Sequence, residues 1–148
     1  MKARNLFIIL IGLGLLSCDN DDYPYSEVPS VVLNEFMAEY SKASDVDFKP
    51  KGENYEVEFE IDGNDHKALI NSSGNLLREK KEISWNELPI EVRETLNMEL
   101  GKKDIKNLEL VRWGTKIFYQ AEVDRFLVNE EVVLDKTGKQ DPKLNFWK

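Results

Sequence analysis

Hydrophobic positions along this chain follow two rhythms, and the pair of rhythms occurs twice. Val32, Phe36 and Tyr40 are spaced by four and line one stripe of a helix; Val92, Leu96 and Leu100 repeat that stripe sixty residues later. Ser26-Glu27-Val28-Pro29 leads into the first stripe and Asn86-Glu87-Leu88-Pro89 into the second. Each proline suits a first helical position, where its missing N–H loses no hydrogen bond. Gly101 supplies a stop for the second helix.

Beyond each helix the period falls from about 3.6 to 2. Tyr55, Val57, Phe59 and Ile61 alternate with Glu56, Glu58 and Glu60, the signature of a half-buried strand. Asp62-Gly63-Asn64-Asp65 turns the chain into a second strand over 67–71, and Ser73-Gly74 turns it again toward 75–83. In the second half Ile117, Tyr119, Ala121 and Val123 alternate with Phe118, Gln120 and Glu122, then Val132 to Leu134 lead to Thr137-Gly138. The expected fold class is α+β: a tandem repeat of a helix followed by an antiparallel three- to four-stranded meander, with the helices on one face of the sheet. The units run over 26–84 and 85–148, and only 144–147 is left to form a last strand of the second.

The first residues follow a different plan. Lys2 and Arg4 precede an uncharged run from Leu6 to Leu16 that ends in Leu15-Leu16-Ser17-Cys18. A positive start, a short greasy run and a small-residue junction make an export signal, and the run is too short to span a bilayer. With cysteine at the junction the segment resembles the lipobox of bacterial lipoproteins, which implies a signal peptide over 1–17 and a diacylglycerol on Cys18. Residues 18–25, containing Asp19, Asp21 and Asp22, read as an acidic tether. That acidic run resembles the surface-export signal of Bacteroidetes lipoproteins. The expected location is the outer membrane, on its periplasmic or cell-surface side, with the lipid on Cys18 as the membrane partner.

Val28-Pro29 or Leu88-Pro89 opening a helix, Gly52-Glu53-Asn54-Tyr55 or Trp113-Gly114-Thr115-Lys116 opening a strand, and closure on Ser73-Gly74 or Thr137-Gly138 together resemble the PepSY-like lipoproteins, a family also described as similar to the tandem-repeat beta-lactamase inhibitor protein. The resemblance covers nearly all of the chain after the signal. It implies two helices on one face of a sheet of up to eight strands, with the other face open to grip a protein. It brings no functional residue with it.

Charge narrows the classes of partner. The chain carries −8 overall; without residues 1–17 it retains 18 basic and 28 acidic residues, or −10. Nucleic-acid binding needs clustered Lys and Arg, and no such cluster is present. The single cysteine at position 18 leaves none for a disulfide or a nucleophile. His66 is the only histidine, so an imidazole triad lacks a visible partner. Asp62, Asn64 and His66 alternate like the start of a calcium loop, but Lys67 and Ser73 stand where its glycine and final acid belong. No enzyme activity, cofactor or metal is expected.

Candidate binding residues are therefore sought on strand faces. Glu56, Glu58 and Glu60 put three carboxylates on one side of a strand, either as a solvated face relieved by Lys67 and by the basic run from Arg78 to Lys81, or as a surface for a basic partner. Phe118, Gln120 and Glu122 occupy the equivalent places in the second unit, and Trp113 stands beside Gly114 as the tryptophan suspected at an edge. The expected function is non-catalytic binding of a protein or peptide through an exposed sheet face, in its narrow form inhibition of a hydrolase or peptidase. The alternatives are a lipoprotein that binds a small molecule or envelope polymer, and an accessory structural subunit.

Overall fold

Both helices begin where a short 3-10 turn delivers a proline. The turn at Tyr25–Glu27 precedes helix α1, Ser30–Glu39, and the turn at Trp85–Glu87 precedes helix α2, Ile90–Glu99. This computed structural model describes residues 23–99 (Glu99 by its backbone), 105–124, 129–141 and 143–148. The expected signal peptide over 1–17, Cys18, the start of the expected tether over 19–22, Leu100 and Gly101 lie outside the described residues. Pro29 occupies the N-cap, one place earlier than expected, and its carbonyl accepts from the amides of Val32 (2.9 Å) and Leu33 (3.1 Å). Ahead of α2, Ser84 and Glu87 form a capping box around the turn, with the Ser84 amide donating to Glu87 Oε2 at 2.8 Å.

Seven strands form one antiparallel sheet in sequence order: β1 (Ser44–Lys51), β2 (Asn54–Ile61), β3 (Asn64–Asn71), β4 (Leu76–Glu82), β5 (Ile105–Trp113), β6 (Lys116–Val123) and β7 (Glu130–Asp135). The molecule is thus α+β, a seven-stranded meander with two helices. The two halves share a continuous sheet because β4 pairs with β5, from Arg78 opposite Trp113 to Glu82 opposite Glu109. β1 and β5 are additions to the sequence expectation. Each carries an irregular register near its start, at 44–47 and 106–109, with Asp45 and Asn107 both at φ 49°. In β5 the bulge shifts the alternation, so that Ile105 and Leu108 both pack on the second cluster, whereas β1 keeps Val46 and Phe48 alternating with Asp47 and Lys49 but offers only those two apolar positions before Pro50. Pro50 also argues against a strand, but β1 is at the sheet edge, where a missing donor is tolerated.

Three separate apolar clusters hold the structure. Val28, Val32, Phe36 and Tyr40 bury against Phe48, Val57, Phe59, Ala68 and Ile70. Phe36 meets Phe48 and Phe59 edge-on, with ring centroids 5.4 and 5.0 Å apart, the arrangement ring quadrupoles favour. Leu88, Val92 and Leu96 bury against Tyr119, Val123, Val132 and Leu134. The third cluster, Val111, Phe118, Val133 and Trp147, contains no helix residue. Here the structure corrects the expected last strand: residues 144–148 form no strand ladder. The carboxylate of Asp141 accepts from the Lys143 amide at 3.0 Å, turning the chain so that Trp147 lies over the middle of the sheet.

Candidate functional site: a charged sheet face crossed by the chain's own segment

Strand register places all seven candidate binding residues on one face. Lys49 stands opposite Glu56, Glu58 opposite Lys67, Lys67 opposite Lys80, Lys80 opposite Val111, and Val111 opposite Phe118. Trp113, Gln120 and Glu122 follow in the same alternation, as does Glu60. The face is divided into a charged cleft over β1–β3 and a covered centre over β4–β7.

Glu58 is held by Lys67 at 2.7 Å and Lys49 at 2.6 Å, and Lys49 also reaches Asp47 at 3.0 Å. Hydrogen bonds from these two lysines depress the Glu58 carboxyl to about 2, and the Glu58 and Asp47 carboxylates raise the Lys49 ammonium above its ordinary range. Lys67 thus relieves the carboxylate row as expected. Glu60, half-exposed, borders a cleft of about 460 Å³ together with Asp45, Asp47, Asp65 and Glu109.

Glu56 departs from the expectation of a solvated or partner-facing carboxylate. It is 5% exposed, and its Oε2 accepts the Trp147 indole N–H at 3.1 Å while Lys67 lies 3.5 Å from Oε1. Gln120, 2% exposed, and Phe118 are likewise buried. The Gln120 amide donates to the Trp147 carbonyl at 2.8 Å and accepts from the Trp147 amide at 3.1 Å, so one side chain satisfies both main-chain groups of one residue. It also donates to Glu109. Lys80 bonds the Trp147 carbonyl at 2.8 Å and Glu109 at 2.8 Å. The Arg78 guanidinium sits 4.1 Å from the centre of the Trp147 ring, a cation–π stack. Glu122 is half-buried and accepts from Asn107 at 2.8 Å. Trp113, 52% exposed, is the large aromatic left at the rim, with Arg78 5.8 Å away.

Trp147, Lys80 and Arg78 were not singled out as a site in the sequence. The available signal was the aromatic pair Phe146-Trp147 after the last turn, but nothing local says what those rings cover.

A second polar group lies on the other side of the same strands. Tyr40 donates its hydroxyl to Glu79, which also pairs with Arg112, and these residues border a cavity of about 190 Å³ with His66 and Lys81. Burial, reinforced by Glu79, pushes the Tyr40 hydroxyl up; burial and Lys81 pull the His66 imidazole down. His66 stacks on Phe59 with ring centroids 5.3 Å apart. Among the described residues no three His, Cys, Asp or Glu side chains are grouped to hold a metal ion, and no helix is long and apolar enough to cross a membrane.

These features define a class: an α+β protein with a meander sheet whose one face carries charged and amide groups directed at peptide backbone. Solved structures share the fold. A provisionally periplasmic protein from Bacteroides eggerthii matches with a TM-score of 0.71 at 14% identity, over 76% of this chain and 85% of its own. A DUF2874 family protein from Bacteroides uniformis matches with a TM-score of 0.67 at 16% identity, over 76% and 85%. A BLIP-like protein from Bacteroides fragilis matches with a TM-score of 0.65 at 14% identity, over 80% and 91%. No family model and no curated protein matches the chain.

Proposed function

We propose that this protein is a non-catalytic lipoprotein of the bacterial envelope that binds a protein or peptide through the sheet face bearing Glu58, Glu60, Gln120 and Trp113. The observation that carries this function is that the face already engages main-chain atoms of a short segment through Gln120, Lys80 and Lys67. Groups that satisfy backbone N–H and C=O can hold a polypeptide whatever its side chains. Export and anchoring rest on the residues from Lys2 to Cys18. The Bacteroides fragilis protein is BLIP-like, and by that analogy the bound partner is a secreted hydrolase or peptidase held inactive.

The same proposal takes residues 26–84 and 85–148 as two copies of one PepSY-like unit with both helices on one side of the sheet. Its support is the recurrence of a 3-10 turn, a helix and a bulged strand at Asp45 and Asn107. The register also puts Phe59 and Tyr119, which contact α1's and α2's clusters respectively, in one cross-strand row through His66, Lys81 and Leu110.

Two experiments test it. Radiolabelled palmitate incorporated by the wild type and lost in Cys18→Ser supports the anchor; equal labelling refutes it. Crosslinking on intact cells, with wild type compared with a folded Glu58→Lys, Glu60→Lys variant, tests the face. A partner captured by the wild type and lost by the variant supports it, and equal capture or none refutes it. Glu56 is left unchanged because it bonds Trp147. A small-molecule binder is the alternative, favoured by the cleft of about 460 Å³ bordered by Glu60, Asp65, Lys80 and Glu109, which has the volume usual for ligand pockets.

A further inference from the structure

Segment 143–148 is held to the sheet in an unusual manner. Residues 144–148 have neither helical nor ladder hydrogen bonding; the Leu144 amide turns back to the Asp141 carbonyl, and sheet side chains supply the main-chain partners of Trp147 and Lys148. Gln120 pairs with both main-chain groups of Trp147, Lys80 donates to the Trp147 carbonyl, and Lys67 donates to the main-chain oxygen of Lys148 at 3.0 Å. The strand ladders and the two helix clusters are complete without the segment, which contributes only to the third cluster. Within it Trp147 is 5% exposed, whereas Leu144 and Phe146 are only partly buried.

Recognition of the side chain is specific. The indole N–H reaches the buried Glu56 carboxylate at 3.1 Å, and the indole ring lies against Arg78 at 4.1 Å. Phenylalanine would stack but would leave Glu56 without that donor, an omission that costs more in a buried site than the hydrogen bond itself gains in water. The fit is also incomplete. Arg78 Nε is buried with no acceptor among the described residues, although buried donors are ordinarily paired. A ligand with a carbonyl or carboxylate oxygen beside its indole would satisfy that group, which segment 143–148 does not.

We propose that this sheet face is a receptor for a short peptide presenting a tryptophan and an adjacent hydrogen-bond acceptor, and that segment 143–148 is an internal stand-in occupying the receptor until such a peptide displaces it. The proposal rests on the function above, that this face binds a partner, and adds the chemistry of that partner. Tethering places the segment at an effective concentration on the order of millimolar, so an external peptide meets a competitor already present. A ligand that also engages Arg78 gains what the internal segment lacks.

The test uses the full chain carrying Trp147→Ala and a fluorescein-labelled peptide of residues 143–148, with a second peptide in which its tryptophan is replaced by phenylalanine. The expected result is saturable binding to W147A at least about ten-fold tighter than to the wild type, because the internal competitor is weakened. The phenylalanine peptide binds about ten-fold more weakly, and adding Gln120→Ala abolishes binding. Two outcomes overturn the proposal: no binding by a W147A protein that retains cooperative unfolding, or equal binding by W147A and wild type. If W147A does not fold, amide exchange in the wild type decides. A Trp147 amide exchanging about a hundred-fold faster than those of Val57 and Val111 supports a segment that opens locally, and joint exchange overturns it. Failed peptide binding with partner capture intact in the Glu58 and Glu60 comparison removes only the internal ligand, whereas failure of both removes the binding face.

Discussion

Replacing Gln120 by leucine isolates the side chain that fastens Trp147 to the sheet. Leucine has similar bulk, so the change removes hydrogen bonding with little cavity, and the consequences differ among the three partners. The Trp147 carbonyl keeps Lys80 at 2.8 Å and Glu109 keeps the same lysine at 2.8 Å, so both remain paired. The Trp147 amide has Gln120 Oε1 as its acceptor at 3.1 Å and is left buried without one. One orphaned buried amide costs about 1–3 kcal/mol, and the two weakened contacts add about 1 kcal/mol, giving about 3 kcal/mol in all. For a domain of this size that corresponds to a fall in Tm of roughly 10 °C. Urea unfolding followed by circular dichroism measures the first quantity and a thermal scan the second. If the segment detaches instead of tolerating the orphan, the loss is capped at its docking free energy, and amide exchange at Trp147 rises while β2 and β5 stay protected. A Q120L protein within 0.5 kcal/mol of wild type, with Trp147 protection unchanged, refutes this account of the contact.

Other expectations follow from the same contacts. Glu58, depressed to about 2 in the folded state, contributes stability that is fully present above its unfolded value near 4.5 and is lost as pH falls toward 2. Its side chain is 39% exposed, so after discounting for solvent the contribution is about 1 kcal/mol; Glu58→Gln should flatten the urea midpoint between pH 5 and 2, and an unchanged slope counts against the pairing. Gly63 and Gly138 share φ +76°, but a Cβ at Gly63 meets open space whereas one at Gly138 falls 2.5 Å from the Glu91 carbonyl and 2.6 Å from Thr95 Oγ1. Gly63→Ala should therefore cost about 1–2 kcal/mol for its backbone alone and Gly138→Ala clearly more, measured by chemical denaturation; equal losses would contradict the docking of this turn on α2. Ser84→Ala, which breaks the capping box before α2, should cost about 1 kcal/mol in the same assay.

Much of the fold was legible because it depends on near neighbours in the chain. The four-residue spacing of Val32, Phe36 and Tyr40 specifies a buried helical stripe, and alternation over 55–61 and 117–123 specifies β2 and β6. Turns at Gly63, Gly74 and Gly138 follow from a residue that accepts positive φ. β5 was not legible because the bulge at Asn107 sets Ile105 and Leu108 on the same face, and β1 was missed because its alternation has only Val46 and Phe48 as apolar positions before Pro50, which marks the edge strand as a breaker. Of the candidate site, alternation correctly assembled Glu56, Glu58, Glu60, Phe118, Gln120 and Glu122 on one face.

By itself the sequence determined the helix stripes, the strand alternation and the turns, all of which are written over spans of a few residues. Only the tertiary structure decided which of those face residues meet water. Trp147 reaches Gln120 across 27 positions and Glu56 across 91, and its docking turns two polar side chains into buried partners while leaving Glu60 half-exposed and Trp113 at the rim. No local pattern encodes that choice, because the free energy of burying an indole depends on groups the chain brings together only after the sheet has formed.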